Sequence, residues 1–323
     1  MEASEYIAYL LSESRGSSCV RGAKVLQISH DEVNRFLAGS SFTGKDLFDK
    51  ALPFIEPRGG TLNIDDTVID KPFSDPEKTE LVALFYSARH HKTVLGINLI
   101  VLHYTDIHGV SVPVNWRVYR HREGKSKNDY FQQMFGEVVL WGLKPRFVTA
   151  DAWYSSLQNL KFLRKQEVGF MVGLEKNRIV STTPHQYEKL QQISIPTEGL
   201  YTHLKGFDFI KVFRTVDTEG HERYYGIYLP NPQEYWLLTR ERFDALRQQH
   251  WQIQHLFRAV KQVGHCGHFF VRRTSAINTH LFCVLRAFQR LVALTQDQFI
   301  ESVYQLKEQL FLAAQRNFIN QFA

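Results

Sequence analysis

Three positions have the types and spacing to do chemistry together. Asp65 sits in Asn63-Ile64-Asp65-Asp66-Thr67 and Asp151 in Val148-Thr149-Ala150-Asp151-Ala152-Trp153, each in or ending a strand-like run. Gln254 sits in His250-Trp251-Gln252-Ile253-Gln254-His255-Leu256-Phe257-Arg258, which reads as one amphipathic helix. Two acids on strands faced by a late helix make the layout of a two-metal phosphoryl-transfer site, in which carboxylates hold two divalent ions about 3.5–4 Å apart. Mg²⁺ suits such a site because it takes oxygen ligands and keeps several waters. The layout expects a third acid on the helix. The chain has an amide there, a neutral and weaker ligand.

Strand and helix periodicities decide which side chains can meet. Successive strand residues point to opposite faces, so only one of Asp65 and Asp66 faces the metals. Asp65 is favoured, because Thr67 then lies on the same face. Taken singly, each aspartate reads as a strand-terminal or helix-capping residue. On the late helix, Ile253, Leu256, Phe257 and Val260 form the apolar stripe. His250, Gln254, Arg258 and Lys261 form a polar stripe, read either as a solvated face or as residue 254 aimed at metals with Arg258 and Lys261 on phosphates. The spacing in His265-Cys266-Gly267-His268 is too tight for a zinc finger, and no Cys-x-x-Cys accompanies it. No glycine-rich phosphate loop is present, so ATP is not implied.

The elements that must carry these residues follow from pattern. The first sixty residues read as small helices, with Ser29 and Glu32 at capping-box spacing and another start at Thr43. Two short capped helices suit a helix-turn-helix-like DNA reader, and they also suit any small helical bundle. Strands are expected over 62–70, 93–103, 110–119, 146–151 and 168–174, with helices from Ser126 and from Ser155 or Ser156. That order is the order of an RNase H-like core: α/β, a mixed five-stranded sheet with flanking helices. Residues 177–235 read as a β-rich insertion. Helix returns near Glu241, and the tail shows apolar residues at helical spacing, including Phe299 and Leu312. The expected organisation is a helical DNA-binding domain (1–60), a first part of the core (61–176), the insertion (177–235), final core helices (236–290) and a helical C-terminal tail (291–323).

Composition bounds the rest. The 323 residues are 44% hydrophobic and 13% aromatic, the balance of a folded chain with a large core. A net charge of +6 favours an anionic partner without naming one. Three unpatterned cysteines argue against a disulfide framework, and with the acidic opening residues they point to a reducing cytoplasm. No apolar run reaches about 18 residues, so no membrane span is expected.

These residues carry a resemblance. The chain resembles DDE transposases of bacterial insertion sequences, whose RNase H-like core holds a β-rich insertion before the last acid. The matching stretches are Ile64-Asp65-Asp66-Thr67-Val68-Ile69-Asp70-Lys71-Pro72, Val148 to Tyr154, and His250 to Gln254 with Phe257-Arg258 and Lys261-Gln262. The resemblance implies Asp65 and Asp151 as first and second metal ligands and puts the third ligand, a glutamate in the family, on Gln254. A Tyr, Arg, Glu, Lys series of the family falls on Arg247, His250, Gln254 and Lys261. It implies a transposase acting with Mg²⁺, or Mn²⁺ in its place, on double-stranded DNA at element ends and target, working as a homodimer in the bacterial cytoplasm. His250, Arg258, Lys261, Arg247, Lys176, Arg178, Trp153 and Tyr154 are the candidate DNA contacts, with His90, His91 and Lys92 a further basic group; each has a plain structural reading as well. The alternative is a non-catalytic DNA-binding protein derived from such an enzyme. Gln254 has three explanations: an engineered change from glutamate, a natural inactive copy, or a neighbouring acid, Glu234 or Glu241, that substitutes.

Overall fold

The structure is a computed structural model that describes every residue except 14–15, 88–89, 263, 270, 298–302 and 323. Four short helices open the chain: α1 (Ala3–Ser12), α2 (Cys19–Leu26), α3 (His30–Gly39) and α4 (Gly44–Ala51). The starts of α3 and α4 are fixed by side chains, as the sequence predicts. Ser29 accepts the Glu32 N–H at 3.1 Å, and Thr43 and Asp46 exchange bonds as a capping box.

The core elements follow as β1 (Thr61–Asp70), β2 (Ala83–Ser87), β3 (Lys92–Thr105), β4 (Ser111–Val118), α5 (Lys127–Leu140), β5 (Phe147–Ala150), α6 (Leu157–Lys165) and β6 (Gly169–Leu174). Five strands lie in the order β4-β3-β1-β5-β6, antiparallel on one side of β1 and parallel on the other. This is the expected mixed five-stranded sheet. The sheet does not stop there. Strands β7 (Ile179–Thr183), β8 (Gln186–Lys189), β9 (Leu200–Leu204), β10 (Phe209–Val216) and β11 (Glu222–Tyr228) form the insertion. β11 pairs antiparallel with β6, and β10, β9, β7 and β8 continue outward. The insertion thus covers an edge that would otherwise expose unpaired backbone groups. β2, which the sequence reading left out, pairs with the start of β3. Three long helices close the chain: α7 (Arg240–Gln262), α8 (Thr274–Asp297) and α9 (Val303–Phe322). Phe299 lies outside the described residues. No helix among the described residues is long and apolar enough to cross a membrane.

Alternation along β3 builds a core on each face. Ile100, Leu102 and Tyr104 face α5 and α6, whereas Ile97, Leu99 and Val101 face α7 and α8. The opening helices join the second core. Tyr6, Leu10, Val33, Leu37 and Leu47 pack with Ile277, Leu281 and Leu285 of α8, and Phe42 stacks on Phe282 at 4.1 Å. Gln289 of α8 donates to the Leu47 and Pro113 carbonyls, at 3.0 and 2.8 Å, so one buried amide ties α4 to β4. The first sixty residues therefore share their core with the helical layer on the mixed sheet. Phe282→Ala should cost about 3–5 kcal/mol through the cavity it leaves. Urea unfolding of that variant should remain a single transition; two separate transitions would show that the opening helices fold on their own.

Candidate active site

β1 presents its odd-numbered residues to α7, and that face is polar. Thr61 Oγ1 donates to Gln249 Oε1 at 2.5 Å, and Asn63 Nδ2 to the Gln249 carbonyl at 2.8 Å. Thr149 of β5 donates to Asn63 Oδ1. His250 Nδ1 lies 3.1 Å from that same hydroxyl and is therefore the donor to it. One helical turn on, Gln254 Nε2 donates to Asp65 Oδ2 at 2.5 Å. Beyond the strand's end, the Lys71 ammonium donates to the Gly267 and Phe269 carbonyls just after α7, both at 2.9 Å. Residue 254 meets Asp65 because these bonds fix the register of helix on strand.

Asp151 is placed by the parallel pairing. Ile64 is opposite Ala150, so Asp65 and Asp151 follow side by side, Asp65 midway along β1 and Asp151 just past the end of β5. Asp151 caps the short turn after β5, accepting the Trp153 N–H at 3.0 Å. Gly173 of β6 makes room for that turn: a Cβ there would lie 2.7 Å from the Ala152 nitrogen. Asp65, Asp66, Asp151, Lys127, Gln254 and Lys261 line one cavity of about 700 Å³, with Trp153 on its wall.

Asp66 points to the other face and is fully engaged. It accepts Asn98 Nδ2 at 2.6 Å, Lys127 Nζ at 2.7 Å and Tyr154 Oη at 3.0 Å. Asp65 is only 8% exposed. Its carboxyl is pushed well above the usual range, by burial first and by Asp151 and Asp66 next. Asp151 is pushed up by the protein around it and by Asp66. Two carboxylates that resist ionisation beside each other are a donor set short of positive charge. With the amide oxygen of Gln254, which a half-turn of the side chain would expose, they fit a hard divalent cation. Among the described residues no group of three His, Cys, Asp or Glu side chains is gathered as a metal site, here or elsewhere, so the fit rests on two aspartates and an amide oxygen.

The remaining candidates divide. Lys261 lines the cavity. Trp153 is 65% exposed, with Lys127 Nζ 5.4 Å from its ring centre. Tyr154, expected at the DNA surface, is instead buried at 1% exposure, because its hydroxyl is turned inward to Asp66. His250 is turned to the sheet rather than outward, and burial pushes its pKa down to about 4, so it is neutral near pH 7. Arg178 donates to the Ser155 carbonyl at 2.8 Å and braces the turn after Asp151. Arg247 pairs with Asp244 at 3.4 Å. Arg258 and Lys176 are exposed outside the cavity wall. His90 pairs with Asp70 at 2.8 Å. Glu234 pairs with Arg146 at 3.1 Å and lines a separate cleft, and Glu241 lies in the first turn of α7, about 20 Å of helix from Gln254. Neither can stand in for the third acid. Sequence reasoning missed Asn63, Thr149, Gln249 and Lys127. The first was open to discovery, since it shares a strand face with Asp65.

The sign of the carboxyl shift gives a test. A carboxyl whose folded pKa is raised loses stability as pH climbs from its unfolded value through the folded one. Near pH 7 and without divalent cations, Asp65→Asn should therefore raise the melting temperature while keeping the bond to Gln254. A lower melting temperature would show that the ionised carboxylate stabilises the fold.

Comparison with known proteins gives the family and a likeness of fold. The family described as "Transposase DDE domain" matches residues 62–288, which contain both aspartates and Gln254. Among solved structures, the chain is similar to a piggyBac transposase in a synaptic complex with hairpin DNA. The TM-score is 0.52 and the identity 12%, over 99% of this chain and 68% of that one, a likeness of fold. No curated protein shows significant similarity. With its matched region spanning more than half of its length, the chain belongs to the transposase DDE domain family.

Proposed function

We propose that the chain binds double-stranded DNA at the ends of its own insertion sequence and is built for excision and insertion by phosphoryl transfer, with Gln254 holding the chemistry well below the rate a third acid would give. The observation that carries this reading is the contact of Gln254 with Asp65, in a cavity shared with Asp151, on a chain of the transposase family. The DNA in the piggyBac complex and the net charge of +6 support a DNA partner. A homodimer and a bacterial cytoplasmic location belong to the proposal.

Asp65, Asp151 and the Gln254 amide oxygen would hold Mg²⁺ or Mn²⁺, which when bound would activate the attacking oxygen and stabilise the leaving one. The protein's own contribution is positioning. β1 and β5 hold the two carboxylates on stiff neighbouring strands, and the β1–α7 bonds set residue 254 against them. Lys127 and Lys261 supply positive charge on the cavity wall, where a phosphodiester would enter.

Gln254 also favours the second reading, a non-catalytic DNA-binding protein. Its N–H occupies Asp65 Oδ2 and satisfies a buried carboxylate without any cation. A glutamate there would set two carboxylates against each other and make the site depend on a cation or a shared proton.

Gln254→Glu should raise Mg²⁺-dependent strand cleavage by about 10²–10⁴-fold, the rate equivalent of about 3–5 kcal/mol. DNA affinity should change little. The same variant should melt lower in chelator than the parent and rise more on adding Mg²⁺, since a ligand that binds only the folded state stabilises it. Full-rate cleavage by the parent would overturn the assignment of residue 254.

In the Gln254→Glu background, Asp65→Ala and Asp151→Ala should each abolish cleavage and spare DNA binding. Asp66→Ala should lower activity less than either, because Asp66 acts through Lys127, Asn98 and Tyr154. If Asp66→Ala proves the most damaging of the three, the cation is held on the other strand face.

A further inference from the structure

We propose that the loop joining β4 to α5 is a phosphate-binding ridge that holds the DNA backbone at the rim of the acidic cavity; this rests on the DNA reading above. Residues 119–127 read Tyr-Arg-His-Arg-Glu-Gly-Lys-Ser-Lys, with four Lys or Arg and one acid. The loop separates two clefts. On one side Tyr119, His121 and Lys127 form part of the wall of the acidic cavity. On the other, Arg120 and Lys125, with the one acid Glu123, line a cleft of about 310 Å³, closed by Trp116 and by Phe42, Thr43 and Gly44 at the start of α4.

Among the described residues, two of the four cations of this ridge are free of a carboxylate partner, although Lys125 also donates to Gln133 Oε1 at 3.3 Å. Lys127 is bound to Asp66, and Arg120 reaches Glu123 only at 3.4 Å. Among the described residues, neither Arg122 nor Lys125 has a carboxylate in salt-bridge range; both side chains are exposed. Trp116 adds an independent sign. Its side chain lines the second cleft and is 5% exposed, yet its indole N–H has no partner among the described residues. A buried donor left unpaired is costly. Asn278 Oδ1 in the same cleft is likewise unpaired among the described residues; it is the donor, in a lining that includes Arg117, Arg120 and Lys125, that suits an anionic acceptor oxygen.

The ridge is also held in shape. The His121 ring stacks on Phe85 at 5.2 Å, Gly124 turns the chain with φ +64°, and Tyr130 Oη donates to Glu123 at 2.7 Å. Cations on an ordered loop lose little freedom on binding. Electrostatics supplies the need: carboxylates in the cavity repel a phosphodiester unless cations stand at its mouth. Two cation-bearing clefts either side of one ridge suit a polymer of phosphates better than a single small anion.

The test uses the full chain with Arg122 and Lys125 both changed to Glu. Binding of duplex DNA, followed by fluorescence anisotropy across a salt series, should weaken by about 10–100-fold at low salt. The dependence of log K on log salt should become shallower by about 2, since each lost phosphate contact removes about 0.9. Arg122→Lys with Lys125→Arg should bind as the parent does. An unchanged slope in the Glu variant overturns the ridge. Absence of salt-dependent DNA binding by the parent overturns the functional reading instead. If the Glu variant does not fold, acetylation of the unaltered chain decides: bound duplex should protect Lys125 and leave the exposed Lys205 reactive, and equal reactivity of Lys125 with and without DNA sinks the proposal. Equal protection by inorganic phosphate or by single-stranded RNA also overturns the assignment to duplex DNA.

Discussion

The polar seam between β1 and α7 is the constraint on which the site depends. Most helices meet a sheet through apolar stripes, which slide and repack at modest cost. Here Thr61, Asn63 and Asp65 each bond to a chosen group on α7, and Thr149 reaches in from β5. Hydrogen bonds are directional, and an unmet buried partner costs about 1–3 kcal/mol, so a shifted helix would lose several at once. The apolar side of α7, with Ile253, Leu256, Phe257 and Val260, supplies attraction toward α8 and β3. The polar seam supplies position.

Electrostatics then sets what the position is worth. Three carboxylates lie around one cavity, and the structure treats them differently. Asp66 is tied to lysine, amide and phenol. Asp65 has an amide and a backbone N–H. Asp151 takes a backbone N–H and otherwise opens to the cavity. Among the described residues, only the last two lack a charged partner, which is the state expected of carboxylates proposed to hold a cation. Gln254 softens this demand by giving Asp65 a neutral donor. One side chain thus trades appetite for a cation against stability without one.

Much of this was legible in the sequence where local rules dominate. Ser29, Thr43 and Ser126 begin helices because a hydroxyl with an acid three residues on satisfies the first turn. The apolar run in β3 reads as buried because both its faces are covered. Asp65, Asp151 and Gln254 are legible through motifs; the two aspartates meet through parallel register, and Gln254 joins them through the β1–α7 bonds. Other features depend on what lies opposite. His250 reads as part of a polar stripe, solvated or functional, but the face of β1 and β5 beneath it is itself polar, so His250 turns to the sheet while Arg258 stays exposed. Tyr154 lies in a single 3₁₀ turn, where neither helical nor strand period applies. β2 is five residues with mixed exposure, and only β3 makes it a strand. The insertion was visible as β-rich, but its pairing with β6 is a long-range match that no local pattern encodes.

Lys71 has a consequence for how such a chain can vary. With it, β1 grips α7 near the helix's middle and again just past its end. The same strand pairs with β3 over ten residues and with β5 over four. Adding or deleting one residue within β1 would send every side chain beyond that point to the opposite face. Asp65 would exchange places with an apolar neighbour while the helix lost its hold. Length changes are therefore barred from this strand and must be absorbed in the hairpins of 177–235, whose turns face solvent. The chain is rigid in length where its paired aspartates sit and free in length where it reaches outward.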